Sequence, residues 1–376
     1  MVKKKQMIAL GGFFLIPFCS VISHTILPIP PTLILWGISF FLFLFIISLN
    51  GGNIPRINSV SFIPLLFSGY LFFSQLLIGV DLRPLVSPFA APLYFALTVF
   101  YLDQLDNNVS KKLITNFIYL SVFLFLIEAY WRITHPVMPD FDPSDSDSYK
   151  WFYIYKGPGL MYIETNGLAI HIIVVLFFTL WWGEFLKKNF LIIKVLLLLV
   201  LFLSFSRAAI LSLLTGVIYF FYARKIKAST FYLCTVFAII PLILYFMTDA
   251  LIFLNNDAST RSKFDLVDDV VKFYANSDLL SILFGIGNYN SKKVFSLYAH
   301  NYFLVYAIEM GIVGLFFVLT QFKHFVSTSK KEILVVLIPF VVQVMSSTVI
   351  FIPYFYMISA VIYYFSNHEK NSRNNS

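Results

Sequence analysis

Residues 166–186 read NGLAIHIIVVLFFTLWWGEFL, a run of mostly apolar residues that contains one acidic side chain, Glu184. An α-helix rises about 1.5 Å per residue, so a run of about 20 residues crosses a hydrocarbon core of roughly 30 Å. Similar runs recur along almost the whole chain. The sequence therefore predicts a set of membrane-spanning helices.

The composition excludes an ordinary soluble protein. Of the 376 residues, 59% are hydrophobic and only 12% are charged, and the mean hydropathy is +0.82. A soluble domain carries about 25% charged residues. A soluble globule has no means of burying this much apolar surface, so the lipid bilayer is the predicted solvent.

Polar breaks divide the chain into about twelve predicted spans by the hydropathy criterion. We predict an all-α polytopic integral membrane protein, with 1–376 forming a single multi-pass domain and a long loop preceding the tenth helix. The fourth and last spans are short for a full crossing. The predicted spans are 7–27, 31–49, 59–80, 88–102, 113–134, 166–186, 190–204, 208–222, 230–254, 301–322, 333–351 and 353–365.

The first span resembles a secretory signal because lysines 3–5 precede an apolar run. No small-residue cleavage site follows, so we interpret it as an uncleaved helix. Cys19 and Cys234 both fall within predicted spans, which argues against a disulfide and gives a metal too few ligands. The net charge of +8 is scattered at the ends of apolar runs, which indicates topology and a modest attraction to anionic lipid rather than nucleic-acid binding.

The basic residues of the short loops predict the orientation. Cytoplasmic loops are enriched in Lys and Arg, and long loops contribute little to this bias. Placing both termini in the cytoplasm gives the best agreement, and the two long segments 135–165 and 255–300 then face the periplasm. Segments this long usually carry function. The basic residues assigned to the cytoplasm are Lys3, Lys4, Lys5, Arg56, Lys111, Lys112, Lys187, Lys188, Arg224, Lys225, Lys227, Lys323, Lys330, Lys331, Lys370 and Arg373.

The first long loop contains the acidic stretch Asp140–Ser148, in which carboxylates alternate with other residues. A calcium loop has this alternation, but it also needs a glycine and a closing glutamate, which are absent here. A solvated acidic turn is the preferred interpretation.

Arg207 stands between two apolar runs, in the stretch SFSRAAI at 204–210. A guanidinium costs about 2.5–3.5 kcal/mol at mid-membrane and less near the surface, so an arginine here needs a reason. It is either an anion clamp, whose planar fork holds two phosphate oxygens, or an interfacial arginine that reaches lipid headgroups.

The second long loop begins an amphipathic stretch at Arg261, with apolar residues at helical spacing up to Phe273. A helix lying on the membrane surface has this pattern. A glycine turn follows at 284–288, FGIGN, and the loop ends at His300 and Asn301. His300 is a candidate base near neutral pH, whereas Asn301 has the simpler interpretation of a helix cap.

Other polar groups within the spans give weaker signals. Glu128 and Arg132 are four residues apart, and we expect them to pair. Lys194 is expected to reach the membrane surface, and a transporter pathway built from such groups stays open as an alternative. His171, His24 and Glu309 are interpreted equally well as buried hydrogen-bonding groups.

Three segments in this order resemble the O-antigen polymerase and ligase superfamily of membrane glycosyltransferases. They are ETNGLA at 164–169, SFSRAAI at 204–210, and the region from Arg261 through FGIGN to AHNYFL at 299–304 and EMGIVGL at 309–315. The resemblance covers roughly the C-terminal half of the chain and implies a GT-C-like fold in a bacterial inner membrane. This sequence departs from the family pattern at Asn166-Gly, where the family commonly has an Asn-Pro-Asn-like sequence.

The resemblance implies a mechanism without cofactor or metal. The donor would be a glycan on an undecaprenyl-pyrophosphate carrier, with Arg207 and Arg261 holding the pyrophosphate. His300 would orient or deprotonate the acceptor hydroxyl, and Asn166 and Asn301 would support substrate binding. A chain-length regulator protein is a further implied partner.

Three functions remain open from the sequence. A polymerase adds the glycan to a new lipid-linked repeat unit, whereas a ligase adds it to the lipid A core. The intact SFSR junction and the moderate length favour the polymerase. A lipid-linked-oligosaccharide flippase also has about twelve spans, but it has no need of the long loop and the chain shows no inverted repeat.

Overall fold

A computed structural model describes the chain in segments. They are 6–12, 31–49, 59–78, 82–137, 154–155, 159–162, 164–222, 258–295, 301–347 and 352–374. The predicted ninth span at 230–254, both cysteines, His24, His300 and the acidic stretch Asp140–Ser148 lie outside these segments.

The described segments form fourteen α-helices, and none of their residues is in a strand. The predicted all-α fold class is thereby confirmed. In chain order the helices are α1 6–12, α2 Pro31–Leu49, α3 Phe62–Ile78, α4 Leu82–Asp103, α5 Asn107–Thr134, α6 Thr165–Leu186, α7 Leu191–Leu203, α8 Arg207–Phe221, α9 Ala258–Asn276, α10 Leu279–Phe284, α11 Tyr302–Glu309, α12 Gly311–Thr328, α13 Leu334–Val344 and α14 Pro353–Asn374.

Several of these helices suit a bilayer. Within the described part of the chain, four are long and apolar enough to cross a membrane: Ser59–Ile78, Asn107–Thr134, Thr165–Leu186 and Gly311–Thr328. Five shorter apolar helices accompany them. Large apolar side chains such as Phe202, Leu214 and Phe316 remain exposed on the outside of the bundle. This outward apolar surface is typical of helices that face lipid.

Helix α6 lies at the centre of the bundle. Nearly all of its residues from Leu168 to Trp182 are buried, which is typical of a helix that is apolar on every side. Its last turn packs aromatic rings against α14, with Trp182 and Phe365 5.1 Å apart between ring centroids. It is surrounded by α7, α8, α13 and α14. The two ends of α6 are therefore held in place relative to the ends of these four helices.

The two ends of the bundle differ. We call the end at which α6 and α8 begin and α13 ends the junction end, because hydrogen bonds from Asn166 join these three termini. The opposite end carries the α6–α7 and α12–α13 turns. There, Lys111 lies 5.3 Å above the Phe185 ring, and Lys330 Nζ donates to Ser366 O at 3.2 Å.

The predicted tenth span at 301–322 is wrong as a single helix, because the chain breaks between α11 and α12. Gly311 has a φ of 67°, in the left-handed region that favours glycine. The N–H groups of the FGIGN turn donate to carbonyl groups at the end of α11 that the break leaves without helical partners. Ile286 N donates to Ile308 O, and Gly287 N donates to Glu309 O, each at 3.0 Å. A turn from the preceding loop therefore replaces the hydrogen bonds of a continuous helix.

Two other predicted boundaries differ from the structure. The fourth helix begins at Leu82 rather than at 88. The last helix continues to Asn374 rather than ending at 365. The amphipathic stretch after Arg261 is confirmed as a helix, α9. Its Tyr274 hydroxyl donates to Ala307 O at 2.8 Å, and burial raises the pKa of Tyr274, which keeps it a neutral donor.

We expect Gly285→Ala and Gly311→Ala to destabilise the protein strongly. Both glycines have positive φ, and a Cβ on either one would collide with the backbone of the other segment. Left-handed strain alone costs about 1–2 kcal/mol for alanine. Gly69→Ala is the matched control, because no atom lies within 4 Å of its added Cβ. Thermal midpoints of the purified variants in detergent test this expectation, and equal midpoints for all three would contradict it.

Candidate functional site

Asn166, at the start of α6, links three helices at the junction end. Its Nδ2 donates to Ser346 O at 2.7 Å, just after α13 ends. Its Oδ1 accepts from the Ser206 hydroxyl at 2.8 Å, just before α8 begins. The structure thus brings two of the three resembling segments, 164–169 and 204–210, into direct contact.

Ser206 is the N-cap of α8 and places Arg207 at the first helical position. Its extended backbone, with φ −90° and ψ 114°, lets Oγ accept from Ala209 N at 3.3 Å. Arg207 itself is exposed. The start of a helix carries a partial positive charge from its unpaired N–H groups, which favours anions. The charge of Arg207 and the field of α8 therefore act at the same place.

Phe205 gives the α7–α8 junction its shape. Its φ of 51° is left-handed, an uncommon conformation for a bulky residue that costs roughly 1–3 kcal/mol. The Phe205 ring stacks on the Tyr155 ring with centroids 5.3 Å apart and planes 18° apart. This contact connects the described part of the first long loop to the turn that presents Arg207.

The first long loop is anchored by the ion pair between Glu128 and Arg132. Arg132 Nε lies 2.8 Å from Glu128 Oε1, so the pair predicted from the spacing is confirmed. Both side chains are almost fully buried. Arg132 Nη2 donates to Tyr162 O at 2.6 Å, and Met161 N donates to Glu128 Oε2 at 2.7 Å. A side chain at Gly159 would collide with the Glu128 carboxylate. The pair therefore holds the chain as it enters α6.

Asn301 is the N-cap residue of α11, the helix that starts at Tyr302. Its Oδ1 accepts from Phe303 N at 3.1 Å and Leu304 N at 3.2 Å, which confirms the predicted helix cap. The next residue, Tyr302, is buried with its ring centroid 6.2 Å from that of Phe340 in α13. Both predicted parts of the site, around Arg207 and before α11, therefore adjoin α13.

The structure places three of the five predicted site residues together with their side chains. Asn166 and Arg207 are brought together through Ser206, and Asn301 caps α11. For Arg261 the structure gives only its position in α9. His300 lies outside the described residues. His171 and Glu309 are confirmed as buried hydrogen-bonding groups, through Gly167 O and Ser291 N respectively.

Three contributors to this region were not predicted: Tyr155, Ser206 and Gln343. Gln343 is fully buried in α13, and its Nε2 donates to Ser206 Oγ at 3.3 Å. The signal available in the sequence was a lone amide in the apolar run LVVLIPFVVQV. Where the chain is described, no group of three or more His, Cys, Asp or Glu residues is arranged to hold a metal ion.

Comparison with known proteins matches residues 192–319 to the family model described as O-antigen ligase. The matched segment is about one third of the chain and includes Arg207, Arg261, the glycine turn, His300 and Asn301. No curated protein matches the chain. The fold defines a multi-pass α-helical membrane protein, and the match supports similarity to the O-antigen polymerase and ligase superfamily in the inner membrane.

We expect Glu128→Leu to lower the thermal midpoint sharply, because it leaves Arg132 buried without its carboxylate. Breaking one partner of a buried pair costs about 3–5 kcal/mol. The double variant Glu128→Leu/Arg132→Leu should recover part of this loss because no uncompensated charge remains. Thermal unfolding of the purified proteins measures both effects. A double variant less stable than Glu128→Leu would show that the ion pair is not the source of the loss.

Proposed function

We propose that this protein is an O-antigen polymerase of lipopolysaccharide biosynthesis. It transfers a glycan from an undecaprenyl-pyrophosphate carrier to a new lipid-linked repeat unit. The observation that carries the proposal is the presentation of Arg207 at the start of α8 by Ser206 and Asn166. Arg207 also lies inside the segment that matches the O-antigen ligase model.

Arg207 is suited to bind the pyrophosphate of the donor. A guanidinium holds two phosphate oxygens at once, and the N-terminus of α8 adds a favourable field. As the bond between the anomeric carbon and the pyrophosphate breaks, negative charge gathers on the leaving group. We propose that Arg207 and Arg261 stabilise this charge in place of a divalent ion.

The acceptor side of the reaction is assigned to the segment before α11. The acceptor hydroxyl oxygen forms the new bond to the anomeric carbon, and the polyprenyl pyrophosphate leaves with the electron pair of the broken bond. His300 takes the hydroxyl proton, a role that suits a side chain that titrates near neutral pH. Asn301 fixes the start of α11 beside it, and Asn166 fixes the start of α8.

The lysines at the end opposite the junction support a periplasmic site. Lys111 and Lys330 both lie at that opposite end. Cytoplasmic loops are enriched in such residues, so the lysine-bearing end belongs in the cytoplasm and the junction end in the periplasm. Both termini are then cytoplasmic, and the donor glycan meets the site on the periplasmic side.

A ligase is the second candidate, because the matching family model is described as O-antigen ligase. A lipopolysaccharide gel of a strain deleted for this gene separates the two functions. We expect core that carries a single repeat unit, because ligation still works when polymerisation is lost. Restoring the intact gene should restore the ladder. Bare core, with long polymer left on its lipid carrier, would identify a ligase instead.

Substitution of Arg207 tests the anion clamp. We expect Arg207→Ala to reduce polymer formation at least about tenfold, since a hydrogen bond to a charged group contributes about 1.5–3 kcal/mol. Arg207→Lys should restore only part of the activity, because the charge survives and the two-point geometry does not. The measurement is ladder intensity in the deletion strain at matched protein level.

Lys194→Ala is the matched control for these variants. Lys194 lies on α7 at the end away from the junction, where its Nζ is 3.3 Å from Asn189 Oδ1. Its loss removes a cation from the same pair of helices without touching the candidate site, so the ladder should be unchanged. Normal ladders from both Arg207→Ala and Arg207→Lys would rule out the clamp.

A further inference from the structure

Gln343 is a buried amide that makes one hydrogen bond. Its side chain is fully buried, and it is the only polar residue in the α13 sequence LVVLIPFVVQV. Nε2 donates to Ser206 Oγ at 3.3 Å, while Oε1 is buried and has no hydrogen-bond partner among the residues that the structure describes. Gln343 also lies outside the segment that matches the family model.

A half-satisfied amide is a costly way to fill space in a membrane protein. A buried polar atom without a partner costs about 1–3 kcal/mol, and one hydrogen bond between helices in a membrane returns only about 0.6 kcal/mol. Leucine would fill a similar volume without this cost. The balance argues that Gln343 contributes little to stability, so its role is to be sought in what Ser206 does.

Ser206 holds the end of α8 that carries Arg207. Its hydroxyl donates to Asn166, accepts from the backbone of α8, and accepts from Gln343 on a third side. One turn away from Gln343 in α13, Pro339 O accepts from Ser212 of α8 at 2.5 Å. These two hydrogen bonds between α8 and α13 fix both the register and the rotation of α8.

We propose that Gln343 is a positioning residue that acts through Ser206 to hold Arg207 where it binds the donor pyrophosphate. The proposal rests on the proposed function, in which Arg207 is the anion clamp. The rotation of α8 about its axis sets the direction in which its first residue points. Without the hydrogen bond from α13, Ser206 keeps only Asn166 as a side-chain partner, and the aim of Arg207 becomes less well defined.

The test measures binding of a polyprenyl pyrophosphate to the purified full-length protein in detergent. We expect Gln343→Leu to weaken this affinity about fivefold, because the variant loses one hydrogen bond that orients Arg207 before the ligand binds. The thermal midpoint should stay unchanged or rise, because the substitution also removes a buried polar atom without a partner. A residue with a purely structural role would not lower the affinity while leaving the thermal midpoint unchanged.

Gln321→Leu is the matched control. Gln321 in α12 is also fully buried, and its Oε1 accepts from the Tyr356 hydroxyl at 3.0 Å while its Nε2 has no hydrogen-bond partner. The two glutamines thus share burial, a single side-chain hydrogen bond and one unsatisfied atom. We expect Gln321→Leu to leave pyrophosphate affinity unchanged, since the hydrogen bond of Gln321 goes to Tyr356 of α14 and not to Ser206.

A double-mutant cycle shows whether the effect passes through Arg207. In an Arg207→Ala background, Gln343→Leu should have almost no further effect, because the group that it positions is gone. An equal loss in both backgrounds would overturn the proposal. So would a normal affinity for Gln343→Leu and Gln343→Met, or a large drop in the thermal midpoint of both. Unchanged affinity in Arg207→Ala itself would instead remove the proposed function on which the inference rests.

Discussion

No water reaches the hydrocarbon core of a membrane, so every backbone N–H and C=O group there needs a partner inside the protein. Helices satisfy this condition along their length and fail at their ends. Wherever this chain ends a helix within the bundle, a polar side chain or a turn has to supply the missing partners. Ser206 caps the start of α8, and Asn301 caps the start of α11. The N–H groups of the FGIGN turn donate hydrogen bonds to the last carbonyl groups of α11. The polar groups of the candidate site are thus concentrated where helices end.

Hydropathy predicts most of the helices because an apolar run long enough to span a membrane has few alternatives to a helix. The same criterion fails at Gly311, where apolar residues continue on both sides of the break. That break depends on a turn more than 20 residues earlier in the chain, whose N–H groups take the carbonyls of Ile308 and Glu309. A window along the sequence has no access to such a partner. The Glu128–Arg132 pair was predictable for the opposite reason, since both partners lie on one helix.

The candidate site divides in the same way. Arg207, Asn166 and Asn301 were identified from an ordered set of motifs, and the structure joins the first two through a single serine. Gln343 carried no such signal, because the side chain with which it forms a hydrogen bond, Ser206, is 137 residues earlier in the chain. Tyr155 is one of many aromatic residues in the sequence, and its role depends on a ring contact with Phe205, 50 residues away in the chain. Asn301 was predictable as a helix cap, because the N–H groups that donate to its Oδ1 belong to Phe303 and Leu304, only two and three residues further along the chain.

The left-handed backbone at Phe205 explains why the junction needs this many supports. A flexible linker between α7 and α8 would relieve the strain, but it would let Arg207 sample many directions and lose entropy each time an anion binds. A strained turn persists only where surrounding contacts fix it, here the Tyr155 ring on one side and the Ser206 hydrogen bonds on the other. The cost of the strain is met when the protein folds, before any donor arrives. In the proposed function, Arg207 therefore meets the pyrophosphate already oriented, which is the condition under which a fixed cation stabilises a developing charge.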